Sequence, residues 1–173
     1  MTPDLRASAG RPALDPPAGV PLPARLPDAP PPGTRLTRHG DTCLVCGAGH
    51  PGGLRARLFA GAGASVYAEV DITDAHQGQA GMAHGGLLAA AFDEIMGAVN
   101  WLVGPPTVTG RLDIVYRARI PTNRTLHFRA WSLGVERRKS FVAGECWLDS
   151  ATGILAASAS AVFIRPSGVV ASR

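Results

Sequence analysis

The sequence predicts an α+β fold: one antiparallel sheet wrapped around one long buried helix. Three observations carry this. Only one long segment reads as helix, the stretch from about Gly86 to Val103, and it is apolar nearly all round. The rest is a succession of alternating segments divided by Gly, Pro, Asn and Asp turns. The spacing of the last four is that of hairpins, which makes neighbouring strands antiparallel.

In chain order, residues 1–36 are Pro/Ala-rich. Ten of the fifteen prolines lie before Thr34, no periodicity survives, and a disordered tail with polyproline character around Ala29–Pro32 is expected. The folded domain is expected over 37–166, with a short tail over 167–173. Leu54–Phe59 and Ser65–Ile72 alternate as a hairpin around Gly61 and Gly63. A polar loop from Thr73 to Gly81 leads to the helix, which Gly104-Pro105-Pro106 ends. Strands follow over Thr107–Arg117, Thr125–Val135, Phe141–Leu148 and Ile154–Ile164, and Arg165-Pro166 closes the domain. A single sheet of this kind leaves edges uncovered, so a dimer is the expected way to complete it.

Composition narrows the function. The chain has 173 residues, 46% hydrophobic and 17% charged, enough for one domain with a real core. No apolar run is long enough to span a bilayer, and Met1–Gly10 lacks the apolar core of a secretory signal, so a cytoplasmic protein is expected. The net charge of +4 suits an anionic small molecule, and with 6% aromatics and no recognised motif a nucleic-acid surface is not expected. Cys43-Leu44-Val45-Cys46 is a single Cys-x-x-Cys; a zinc ribbon needs a second ligand pair, for which His50 and Cys146 are the remaining candidates. No helix follows it, as a redox motif would require. The favoured reading is two structural thiols, and no metal or cofactor is assigned.

The helix carries the chemistry. Asp93 and Glu94 interrupt its apolar run, and at least one must face water, a partner or a ligand. Steps of three, four and seven from Asp93 reach Ala90, Ala89, Gly86 and Gly97. That face is lined by the smallest side chains and leaves room for a substrate or another backbone.

These residues resemble the hotdog-fold acyl-CoA thioesterases of the PaaI-like, phenylacetate-pathway kind. The resemblance runs from about Asp41 to Pro166. It rests on Cys43-Leu44-Val45-Cys46-Gly47, on His76-Gln77-Gly78, on His84-Gly85-Gly86 with Asp93 nine residues after the His, and on Thr109 opening Leu112–Arg117 before Pro121. It implies hydrolysis of an aryl- or medium-chain acyl-CoA without a cofactor. Asp93 would be the base or nucleophile and the Gly85 backbone N–H the donor to the thioester oxygen. His84 would position the carbonyl or the loop, the alternative being a helix-entry residue bonded to backbone, and Thr109 would hold water. Gly86, Gln77 and Glu94 would line the substrate site, Glu94 also serving as a charge partner. Arg137 and Arg138 would meet the CoA phosphates, with Arg111, Arg117 and Arg119 as further candidates. The site would lie between subunits, Gly85 of one opposite Asp93 and Thr109 of the other, in a homodimer or a dimer of dimers. One departure stands out. Related enzymes often carry Asn or Gln six residues before the His, where this chain has Gly78. Two other functions fit the same fold: a non-catalytic acyl-CoA or lipid binder, and a dehydratase using His84 with Asp93.

Overall fold

A computed structural model describes residues 14–37 and 39–167. Residues 1–13 of the expected N-terminal tail and 168–173 of the expected C-terminal tail lie outside the described residues.

Seven strands form one sheet: β1 (Arg35–Leu36), β2 (Arg57–Ala60), β3 (Ser65–Ile72), β4 (Val108–Tyr116), β5 (Arg124–Glu136), β6 (Lys139–Leu148) and β7 (Ile154–Ile164). Their order across the sheet is β1-β2-β3-β5-β6-β7-β4, every neighbouring pair antiparallel. Among the described residues there is one α-helix, α1 (Gly85–Val99), which packs on one face of the sheet and touches β3 to β7. This is the hotdog architecture.

The period-2 pattern of the strands drives the packing. In β5, Leu126, Phe128 and Ala130 point inward and are buried, as are Val66, Ala68 and Val70 in β3. From the helix, Leu88, Ala91, Phe92, Ile95, Met96 and Val99 meet them. Phe92 stands edge-on to Phe128 with ring centroids 5.1 Å apart. Phe92 and Met96 reach so close over Gly144 that a Cβ there would lie 3.2 Å from the Met96 sulfur. Glycine in β6 therefore sets how closely helix and sheet approach.

The helix is less uniformly buried than its composition suggests. Its inward positions recur at three- and four-residue steps, and the other face, with Gly86, Ala89, Ala90, Asp93 and Gly97, is exposed or half-exposed. It also stops at Val99; Asn100–Leu102 is a 3-10 turn, which carries the apolar run onward to Leu102 without extending α1. The strand expected from Leu54 begins at Arg57, because Leu54 and Ala56 donate instead to the carbonyls of Leu44 and Val45 in the Cys-x-x-Cys loop, at 2.9 and 2.7 Å.

The proline-rich segment differs most from expectation. Residues 14–36 are held against the domain, and Arg35–Leu36 belong to the sheet as β1. The Arg25 guanidinium donates to the carbonyls of Gly61 (2.8 Å), Gly63 (2.6 Å) and Pro30. Leu26 N–H bonds Leu102 O at 2.8 Å, and Gly33 N–H bonds Ala60 O at 2.7 Å. Val20 sits over Gly134, which has φ 153° and where a Cβ would meet it at 2.7 Å. The physical reason is that proline lowers the entropy lost on ordering, so a few well-placed bonds hold an extended chain.

Candidate active site

Two adjacent carboxylates on a helix point about 100° apart, and here they go to different partners. Asp93 faces β4, where Thr109 Oγ1 donates to its Oδ1 at 2.5 Å. Glu94 faces the loop before β2, where its Oε1 lies 2.8 Å from His39 Nδ1.

Thr109 is aimed by a β-bulge. The β4–β7 register shifts between Thr109 and Arg111, placing Gly110 as the extra residue. A Cβ on Gly110 would lie 2.8 Å from Ile164 Cγ1. Gly110 thus allows the bulge that turns Thr109 toward Asp93.

The helix N-terminus is the second part of the site. His84 is the N-cap, and its Nδ1 accepts from Gly86 N–H at 2.9 Å. Gly86 suits this contact, because a Cβ there would lie 3.0 Å from the imidazole and the ring would have to shift. Leu87 N–H bonds His84 O at 3.0 Å. Gly85 N–H, between these, has no acceptor among the described residues and stands at the positive end of the helix dipole. Tyr116, at the end of β4, donates its hydroxyl to Gly85 O at 2.8 Å; burial raises its pKa, which keeps it a donor. A cleft of about 180 Å³ opens here, lined by Met82, His84, Gly85, Leu88, Tyr116 and Arg119 among others.

The loop before the helix is held by its own bonds. His76 is buried; its Nδ1 accepts from Thr73 N–H at 3.1 Å and its Nε2 lies 3.3 Å from Gly53 O. His76 O accepts His84 N–H at 2.9 Å. Gln77 Oε1 accepts from Gly81 N–H at 3.1 Å and so closes its own loop. Gly78 packs on His84: a Cβ would meet its Cδ2 at 3.1 Å. The glycine at this place therefore goes with the capping position of the His84 ring.

The basic turn Arg137-Arg138 joins β5 and β6. Thr109 pairs with Phe163, which pairs with Ser140, so the turn begins two strands, about 10 Å, to the side of Thr109. Arg138 Nε donates to Arg165 O at 2.8 Å; a cavity lies between Glu136, Arg137, Arg138, Lys139 and Ile164. Arg111 pairs with Asp113 and Arg117 donates to Ser158 Oγ, whereas Arg119 lines the cleft beside Gly85.

The Cys-x-x-Cys does not meet His50 or Cys146. Cys146 is buried in β6 and His50 accepts from Gly52 N–H. Its neighbours are His39 and Glu94. Burial opposes ionisation of Cys43, but hydrogen bonds from the Cys46 and Val45 amides outweigh it and hold its thiol below the ordinary value. Burial, with Glu94 and Cys43 close by, pushes the Cys46 thiol far up. Burial disfavours the charged His39, and the Glu94 carboxylate outweighs it and raises the imidazole.

The structure thus brings Asp93 to Thr109, and His84 to Gly85 and Gly86. It turns Gln77 into its loop and Glu94 toward His39. Sequence reasoning missed Tyr116, His39 and the Gly110 bulge; an isolated Gly in a strand pattern was the available signal for the last.

A helix N-terminus with an unpartnered amide, a carboxylate held by a strand hydroxyl and a sheet packed on that helix give the chain the hotdog fold, and its similarities point to the thioesterase superfamily. The family model for the thioesterase superfamily matches residues 80–155, the span from the loop before the helix to the start of β7. Among solved structures, a thioesterase superfamily protein is 27% identical with a TM-score of 0.59, the match covering 64% of this chain and 53% of that one, about half its length. The E. coli PaaI protein from the phenylacetic acid degradation operon is 16% identical with a TM-score of 0.60, covering 66% and 82%. A hypothetical thioesterase protein from Streptococcus pneumoniae, solved with coenzyme A, is 20% identical with a TM-score of 0.54, covering 58% and 79%; an Asp→Ala and a Thr→Ala mutant of it are also solved. No curated protein sequence matches the chain.

Proposed function

We propose that this protein is an acyl-CoA thioesterase whose active site is completed by a second copy of the chain. The observation that carries the reading is the separation of two groups the chemistry needs together. Gly85 and Asp93 sit on one helix, eight residues apart, which is about 12 Å along the axis. One thioester carbonyl cannot contact both in a single chain. A copy related by a two-fold axis supplies Gly85 opposite Asp93 and Thr109. The sheet edge at β4 is suited to such a partner, with Val108, Val115 and Tyr116 exposed along it.

A thioester is already activated, so little machinery suffices. The Gly85 amide stabilises the oxyanion as the carbonyl is attacked. Asp93 acts as base toward water or as nucleophile toward the carbonyl carbon, and CoA leaves as the thiolate. Thr109 holds the Asp93 carboxylate in place. His84 keeps the first helical turn in shape by capping Gly86, and Gly86 leaves room for its ring. Arg137 and Arg138 attract the CoA phosphates, and Arg119 adds charge at the cleft. The acyl group enters between Met82, Leu88 and Tyr116, which suit an aryl or medium-chain group. Asp→Ala and Thr→Ala mutants of the pneumococcal protein support the assignment: the two positions lie sixteen residues apart, as Asp93 and Thr109 do. That protein was solved with coenzyme A, which supports the ligand class. A dimer or dimer of dimers in the cytoplasm completes the reading. Among the described residues no helix is long and apolar enough to cross a membrane.

The second reading, a non-catalytic acyl-CoA or lipid binder, draws on Gly78, where no side chain is available to orient water. Thiol release from aryl, short, medium and long acyl-CoA esters separates the two. The thioesterase reading expects release that falls by orders of magnitude in Asp93→Asn while the fold persists. Acyl-CoA binding without release by either protein establishes the binder.

A further inference from the structure

The Glu94 side chain is 10% exposed on a helix that is otherwise free of charge over Gly85–Val99 except for Asp93. A carboxylate so desolvated needs a cation or donors. What it meets is unusual for a mere ion pair. His39 Nδ1 is 2.8 Å from Glu94 Oε1, 3.8 Å from Cys46 Sγ and 3.9 Å from Cys43 Sγ. One donor atom from each of the four residues lies within 4.8 Å of all the others.

These separations fit one small cation. With bonds of about 2.3 Å to sulfur and about 2.0 Å to nitrogen or oxygen, the edges of a tetrahedron are roughly 3.3–3.8 Å. The nitrogen–sulfur distances have to close by about 0.3–0.4 Å to reach a tetrahedral edge of about 3.5 Å, and the nitrogen–oxygen pair has to open by about half an ångström from hydrogen-bond length.

The loop is built to present the two sulfurs. Gly47 N–H bonds Cys43 O at 2.9 Å, and Leu54 and Ala56 donate to the carbonyls of Leu44 and Val45. Gly47 is obligatory: a Cβ would fall 2.3 Å from Asp41 O and 2.5 Å from Cys43 O. The His39 ring is fixed edge-on to Trp101, centroids 5.2 Å apart.

We propose that His39, Cys43, Cys46 and Glu94 bind one Zn²⁺ as a closed four-ligand structural site. Two thiolates, an imidazole and a carboxylate select a borderline-soft dication over Mg²⁺ or Ca²⁺. All four positions are filled by protein, so the ion clamps the loop to α1 and does no chemistry of its own. It neutralises Glu94 and leaves its neighbour Asp93 as the carboxylate facing β4. The site is independent of the catalytic reading, and its test reads metal, not turnover.

The experiment uses the full chain, thiols kept reduced. Zinc content is measured after exhaustive dialysis, and Co²⁺ is substituted for spectroscopy. The expected result is about one zinc per chain, and a cobalt form with thiolate charge-transfer absorption and intense tetrahedral ligand-field bands. Cys43→Ser with Cys46→Ser abolishes both signals, Glu94→Gln weakens zinc at least tenfold, and Cys146→Ser changes nothing. Should the double variant fail to fold, the cobalt spectrum of the wild type decides alone. A folded, reduced wild type that takes up neither metal overturns the proposal. So does zinc retained by the folded double variant, undiminished affinity in Glu94→Gln, or zinc lost in Cys146→Ser.

Discussion

Gly85→Pro removes one hydrogen-bond donor and almost nothing else. Gly85 is the first helical residue, where proline is favoured because its missing N–H has no helical acceptor anyway. The residue before it, His84, has φ −72° and ψ 125°, the extended geometry that proline imposes on its predecessor. The His84–Gly86 cap and the Leu87–His84 bond do not involve the Gly85 amide. A Cβ at this position meets the Tyr116 ring at 3.6 Å, an ordinary contact. The melting temperature therefore stays the same or rises, since proline stabilises by about 0.4–1 kcal/mol where the backbone already suits it. Activity behaves differently. Removing one donor from a developing oxyanion costs about 2.7–4 kcal/mol, a loss of about 100- to 1000-fold in kcat. Gly85→Ala, which keeps the N–H, is the control and retains most of the activity. The assay is thiol release from the best acyl-CoA ester, with thermal melting alongside. A folded Gly85→Pro protein with near-normal kcat refutes the oxyanion role, and a Gly85→Ala loss as large as the proline loss shows that space, not the amide, is what matters.

Three further outcomes follow from named contacts. Thr109→Val removes the hydrogen bond to Asp93 and lowers kcat/KM by roughly 10- to 100-fold, the worth of a bond to a charged group; Thr109→Ser restores most of it, and equal losses in both would deny the hydroxyl a role. Reversing the charge of Arg137 and Arg138 raises KM for CoA esters but not for thioesters lacking the nucleotide, a contrast that initial-rate kinetics on the two substrate types reads directly. The hydrogen bond from Arg57, then that from Thr125, lowers the Asp71 pKa below its ordinary 3.8. A lowered folded value means that stability is present above pH 3.8 and is lost as pH falls through the folded value. Melting curves of wild type and Asp71→Asn should thus differ at neutral pH and converge in acid.

Much of the fold was legible because it rests on local periodicity. The alternation in β3 and β5 to β7, and the Gly-Pro-Pro stop after the helix, are patterns of neighbouring residues. What the sequence did not reveal depends on tertiary partners. The segment 14–36 reads as tail because its docking comes from Arg25, a few backbone groups and scattered apolar residues, not from a periodic apolar stripe. Arg35–Leu36 is too short a strand to show a period. In the site, the Gly-Gly helix start and Asp93 were readable from spacing. His39 stands four residues before Cys43, a local signal that sequence reasoning passed over, whereas its nearness to Glu94 exists only once residues 55 apart in the chain are brought together. The Gly110 bulge had a sequence signal, an isolated glycine, but its aim toward Asp93 did not. Spacing singles out Asp93 from Glu94, but their partners, Thr109 on β4 and His39 beside the Cys-x-x-Cys loop, come only from the tertiary structure.

The most direct test of a site shared between two copies is subunit mixing. Asp93→Asn and Gly85→Pro proteins, each nearly inactive, are denatured together in equal amounts, refolded and assayed. If Gly85 of one chain serves Asp93 of the other, half the dimers are mixed and each has one intact site, so activity returns to about a quarter of wild type. If both residues serve a site within one chain, every chain carries a defect, and the mixture shows no more activity than the two parents.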